Sequence, residues 1–291
     1  MKRGPRSIAE FNRLLDDSSY LEAYAAARAR GAPDCTEEDQ CDHLRTFLKG
    51  IKDVVLAEPG TPQWHKERGR YFTASPLSVL LDSNSPWYGG RHLTHSRDKL
   101  IRQRAAALAL DWFGAVAEPQ QKEQADNPRL AHGRAMEPLA VWVLRRMCEQ
   151  AGLEMHGIAH VPCCRHREIE CLAFTPDYVM CVRDPRKLTF RTVLVEVKSP
   201  YSRAFDPDKP APGYLYPQVV ACATGLGIQH AALLQMWGDR AVYTAVAPGE
   251  MRTIWKEVGD ALFRAEQQAR ELALHMANHY LLIEEANHPV Q

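Results

Sequence analysis

Glu196 and Lys198 flank a single valine in the stretch LVEVKSP, residues 194–200. Upstream, FTPDYVM places Asp177 directly after Pro176, where a strand is expected to stop. Side chains alternate along a strand, so Thr192, Leu194, Glu196 and Lys198 share one face. Val193, Val195 and Val197 take the other, which is assigned to the core. Glu196 and Lys198 then project together, about 6–7 Å apart. A hairpin through RDPRKLTFR would set Asp177 beside Glu196. Two carboxylates meeting there offer hard oxygen ligands for Mg2+, which keeps several waters and takes one or two carboxylates plus a substrate phosphate. A neighbouring ammonium can orient the attacking water and help deprotonate it, especially if burial and a metal's field lower its pKa. Taken alone, Val-Glu-Val-Lys reads as readily as the wet face of a surface strand, and Pro-Asp as an ordinary turn start.

The elements that would position these residues follow from periodicity. SIAEFNRLL opens with Ser7 and Glu10 in capping-box spacing, SYLEAYAAARARG ends at Gly31, and EEDQCDHLRTFLKGIKDVVLAE makes a third helix. Residues 1–57 thus read as a helical N-terminal extension and 58–291 as the main domain. SRDKLIRQRAAALALDWFG and GRAMEPLAVWVLRRMCEQAG are long helices. From residue 153 the period shifts toward 2, in LEMHGIAHV, EIECLAFTPDYVMCV and TFRTVLVEVKS. APGYLYPQVVACATGLG returns to helix, two strands hinge at Gly238-Asp239, and a long terminal helix has Gly259 as its expected break. The fold class is α/β, a mixed β-sheet flanked by helices.

Composition bounds the function without choosing it. Lys+Arg and Asp+Glu are 36 each, so the net field favours no polyanion, although a local basic groove is enough for steering. No run reaches the roughly 18 apolar residues of a membrane span. The basic start leads into an amphipathic helix, so a secretory signal is not expected, and the eight cysteines read as reduced thiols of an intracellular protein. His156, His160, Cys163, Cys164, His166 and Cys171 invite a zinc reading, but paired C-x2-C knuckles are missing, so zinc is not expected. Arg97, Lys99, Arg102 and Arg104 read equally as contacts to a DNA backbone or as a solvated helix face. Tyr214 and Tyr216 are placed to stack on bases or simply to pack.

WHKERGRYFTAS, GRAMEPLA, TPDY, EVKSP and YLYPQVVACATG, in that order over about residues 60–245, resemble the λ-exonuclease/YqaJ viral recombinase family. This is a branch of the PD-(D/E)XK nucleases that includes the herpesvirus alkaline nucleases. The resemblance implies a restriction-endonuclease-like core and a Mg2+-dependent 5′→3′ exonuclease on double-stranded DNA ends. It implies two metal ions, with Mn2+ able to substitute, and no Fe–S cluster, since no cysteine follows Cys222. Asp177 and Glu196 would bind metal with the Val197 carbonyl, and Lys198 would activate water. Glu137 looks like the family's additional acidic residue at the metal, and Gln218 like the glutamine lying against the site. Arg68, Ser75 and Thr175 fall where the family grips the terminal 5′-phosphate, and a fork of donors with two hydroxyls suits that dianion. Thr175 stands where serine is more usual, and Ser199 where cysteine often follows the lysine. The implied partners are double-stranded DNA ends and a single-strand annealing protein that takes the 3′ overhang. Phage relatives form toroidal trimers in bacterial cytoplasm; herpesvirus ones act as monomers in the infected nucleus. An endonuclease or RNase on the same scaffold, or a non-catalytic DNA-binding or assembly protein, are the alternative readings.

Overall fold

The alternating stretches after residue 153 close into one sheet in the computed structural model, which describes residues 41–51, 54, 61–90, 96–113, 128–187, 189–200, 209, 211–237 and 240–287. In chain order come helices α1 (Asp42–Lys49) and α2 (Pro62–Gly69), strand β1 (Phe72–Thr73), and helices α3 (Arg97–Phe113) and α4 (Pro128–Ala151). Strands β2 (Glu154–Ala159), β3 (Cys164–Arg165), β4 (Leu172–Phe174), β5 (Tyr178–Asp184) and β6 (Thr189–Lys198) follow. Helix α5 (Tyr216–Leu226), strands β7 (His230–Trp237) and β8 (Arg240–Val246), and helix α6 (Pro248–Asn287) complete the order. The main sheet runs β2-β5-β6-β7-β8, antiparallel except for β6 against β7. That one parallel pair needs a crossover, which α5 supplies. A small sheet, β1-β4-β3, stands beside it, with β1 parallel to β4.

From Val193 to Val197 strand β6 is buried on both faces. On one, Val193, Val195 and Val197 meet Met136, Leu139, Ala140 and Val143 of α4. On the other, Leu194 joins Val179, Cys181 and Leu233 under α5 and α6. The alternative of a wet surface strand is therefore set aside: a strand paired in parallel through a helical crossover is covered from both sides. The charged pair of LVEVKSP does not mark a wet surface. It marks a polar site within a buried face.

Helix α6 runs unbroken through Gly259, contrary to the expected break. Its small residues Ala261, Ala265, Ala269 and Ala273 are buried, letting α3 approach through Ala105 and Ala109. Burial of that stripe outweighs the roughly 1 kcal/mol that one glycine costs a helix. Arg104 of α3 grips Glu266 of α6 with two hydrogen bonds of 2.8 and 2.9 Å, and it also donates to the Arg70 carbonyl. It faces the protein interior, and so does not track a DNA backbone. Leu44 of α1 is fully buried in the same core, with Phe47 and Ile51 against it. The two helices expected before residue 40 lie outside the described residues. Cys41, Cys148, Cys163, Cys164, Cys171, Cys181 and Cys222 are free thiols. No helix among the described residues is long and apolar enough to cross a membrane.

Candidate active site

The β5–β6 hairpin brings the two carboxylates together. Tyr178 pairs with Val195, so the antiparallel register carried one place further sets Asp177 opposite Glu196. Pro176 ends the preceding chain, and Asp177 Oδ2 accepts the Val197 backbone N–H at 2.7 Å. His160, leaving β2, donates from Nδ1 to the Asp177 carbonyl at 2.8 Å and packs its ring on Tyr178, 4.4 Å between centroids. Asp177 is thus held from both neighbouring strands.

Glu196 is 1 % exposed. Its Oε1 accepts from Lys198 Nζ at 2.7 Å and from Gln218 Nε2 in the first turn of α5. Its Oε2 is buried and receives no hydrogen bond from an N–H or O–H donor, with the Asp177 carboxylate within reach of Glu196. Burial, reinforced by the Asp177 carboxylate and opposed by Lys198, pushes the Glu196 carboxyl up to about 8. Burial works to discharge Lys198, yet the two carboxylates hold its ammonium above the ordinary lysine value. Cys222, one turn beyond Gln218, is raised well above the usual thiol range by burial and by the same carboxylates.

An unpartnered, buried carboxylate oxygen beside a second carboxylate is what a cation would satisfy, and hard oxygens fit Mg2+. Among the described residues no three His, Cys, Asp or Glu side chains form a group ready to hold an ion. Glu137, expected as the additional acid, is half-buried on α4 and does not complete a three-acid group with Asp177 and Glu196. At the end of β6, His132 of α4 meets the Ser199 hydroxyl at 3.1 Å.

The residues expected at a terminal phosphate lie on neighbouring elements, Arg68 on α2 and Ser75 and Thr175 just after β1 and β4. Strand β1 runs parallel to β4 with Thr73 opposite Ala173, so both chains leave in the same direction toward exposed Ser75 and Thr175. Thr175 is separated from Asp177 by Pro176 alone. Arg68 of α2 lies over the Trp64 ring, 4.8 Å from its centroid, one helical turn away. Between them stands Cys163, whose thiol hydrogen-bonds Thr175 and feels the Arg68 charge, while burial raises it overall. Burial lowers Arg68 itself. Tyr214 is half-buried on a short turn before α5. Tyr216 is 7 % exposed within the core, so the expectation of a ring open to bases is corrected to packing.

Cys163 and His160 were not singled out for these positions by their sequence context. His160 could have been found by continuing the β2–β5 register from Ala159 opposite Val179. No local pattern marks Cys163.

No family model matches the chain, and no curated protein matches it. Among solved structures it is similar to an alkaline exonuclease. That protein is LHK-Exo from Laribacter hongkongensis, at 19 % identity over 75 % of this chain and 99 % of that one, with a TM-score of 0.47. The same exonuclease in complex with dAMP gives 0.48 at the same identity and coverage. Likeness of this degree concerns the path of the chain; the roles of individual residues rest on the register and hydrogen bonds above.

Proposed function

We propose that the protein is a Mg2+-dependent deoxyribonuclease of the λ-exonuclease/YqaJ kind, acting 5′→3′ on ends of double-stranded DNA. The observation that carries this reading is the state of Glu196: one oxygen taken by Lys198 and Gln218, the other buried without a partner beside Asp177. Asp177, Glu196 and the Val197 carbonyl would hold the metal, which when bound polarises a phosphodiester and acidifies a water. Gln218 fixes Glu196 Oε1 and leaves Oε2 for the ion. Lys198, 2.7 Å from Glu196 Oε1, would orient and help activate the attacking water. Arg68, Ser75 and Thr175 hold the terminal 5′-phosphate, and the short chain from Thr175 to Asp177 sets the scissile bond one nucleotide inward. The products are 5′-mononucleotides and a 3′ overhang, which a single-strand annealing protein would take up.

The test is a digest of 5′-phosphorylated linear duplex, closed circular duplex and single strands with Mg2+. Linear duplex should be degraded and circles left intact, and Asp177→Ala should abolish cleavage while leaving DNA binding in place. Circles cut as fast as linear duplex would overturn exonuclease action. Unchanged activity in Asp177→Ala would overturn the site.

A further inference from the structure

The small sheet puts a buried thiol beside the residues assigned to the phosphate. Cys164 of β3 pairs with Phe174 of β4, antiparallel, so the register carried one place further sets Cys163 opposite Thr175. On the other side of β4, Thr73 of β1 pairs with Ala173, and Ser75 and Thr175 each follow two places on. Residues directly across a strand pair share a face, with Cβ atoms about 4.5–5.5 Å apart. Cys163 and Thr175 therefore project to the side that also carries Ala173, two residues before Thr175. Helix α2 closes that side: Trp64 packs with Cys163 and Ala173, and Tyr71 lies against them. Arg68 stands one turn further along α2, its guanidinium over the Trp64 ring. Cys163 is 2 % exposed, whereas Ser75 and Thr175 are exposed. One thiol thus meets both the strand end that carries Thr175 and the helix that carries Arg68.

We propose that Cys163 is a positioning residue for the terminal 5′-phosphate: its S–H donates to the Thr175 hydroxyl oxygen and so aims that hydroxyl's own proton at the ligand. The proposal rests on the nuclease reading above and names what lets the same site tell a 5′-phosphate from a 5′-hydroxyl. A phosphate dianion presents acceptor oxygens, so every group that holds it must donate. An arginine has five N–H donors, but a threonine hydroxyl has one proton and two lone pairs. That single proton serves the phosphate only if it is not spent on a neighbour, and a donor behind the oxygen secures this. A thiol is such a donor, weak but sufficient to set a direction while it stays protonated. Burial raises the Cys163 thiol, which keeps it neutral and spares the phosphate a negative neighbour. A carbonyl or carboxylate in its place would instead draw the threonine proton away.

The experiment is fluorescence anisotropy in chelator, so that nothing is cut, on matched duplexes that end in a 5′-phosphate or a 5′-hydroxyl. Wild type should bind the phosphorylated end more tightly. Cys163→Ala should shrink that advantage by about three- to tenfold, the order of one hydrogen bond, and weaken the 5′-hydroxyl duplex far less. Cys163→Ser, which keeps a donor at the same place, should retain the advantage. Thr175→Val should shrink it at least as much as Cys163→Ala, and the double variant should lose no more than Thr175→Val, because the thiol acts through the hydroxyl. A full advantage in Cys163→Ala, a serine variant no better than the alanine one, or additive losses with Thr175→Val overturns the positioning role. Equal weakening on both ends overturns it too, and makes Cys163 a packing partner of Trp64. The expected pattern in a protein that fails to cleave DNA with Mg2+ would uphold Cys163 and sink the nuclease reading alone.

Discussion

Asp177 accepts the backbone N–H of Val197 at 2.7 Å, across the hairpin and next to Glu196. One carboxylate thereby serves both the fold and the site. A hydrogen bond to a charged group contributes about 1.5–3 kcal/mol, so Asp177→Ala should lower stability to urea by that order. Asp177→Asn keeps an oxygen for the same N–H and should cost less than half as much. Both should lose Mg2+-dependent cleavage. Equal destabilisation by the two variants would separate the Val197 contact from the stability of the hairpin.

Glu196 sets a pH dependence whose sign is fixed. In the metal-free fold its carboxyl is pushed up to about 8 from an ordinary 4.5, by burial first and by Asp177 second. Between those values the folded chain keeps a proton that the unfolded chain gives up, so stability falls as pH rises through the window. Denaturant titrations in chelator, from about pH 5 to about pH 9, should show the decline in wild type. Glu196→Gln should show a flatter profile and exceed wild type at the alkaline end. A wild-type stability that rises across the window would contradict the buried, unpartnered carboxyl.

Two glycines should answer in opposite directions. A Cβ at Gly259 of α6 meets nothing within 4 Å, so Gly259→Ala should raise stability by about 0.5–1 kcal/mol without touching activity. A Cβ at Gly225 of α5 would run into the buried ring of Phe174 and into His166, which stacks on Trp255 at 4.8 Å. Gly225→Ala should cost about 1–3 kcal/mol through overpacking. Thermal unfolding of the two variants beside wild type checks both signs.

The legible parts of the site are those that a local pattern encodes. Alternation after Thr189 and the stop at Pro176 were enough to place Asp177 opposite Glu196, because register in a hairpin follows from its own two strands. What lies above and below a strand is decided by chain segments far away. The same alternation therefore left a wet face and a site wall equally open for β6, whereas α4 and the α5–α6 layer close both sides of Val193–Val197. The period of α4 tells which stripe is apolar, but not which face of the sheet that stripe will cover, and it covers the one turned away from Glu196. Cys163 reaches Arg68 only through tertiary packing.

Arg68 should govern end chemistry more than catalysis as such. Its guanidinium is braced on Trp64 at 4.8 Å, near the hydroxyl of Thr175 that Cys163 engages, in a setting buried enough to lower its pKa. Removing a fork of charge-assisted hydrogen bonds to phosphate forfeits roughly 1.5–3 kcal/mol, about ten- to a hundredfold in kcat/KM. Arg68→Ala should show that loss on 5′-phosphorylated duplex ends and a much smaller one on 5′-hydroxyl ends. Arg68→Lys, which keeps the charge without the planar fork, should fall between them. Matched substrates differing only in the terminal phosphate make the measurement direct. Equal losses on both ends would remove Arg68 from the phosphate and leave it a packing partner of Trp64.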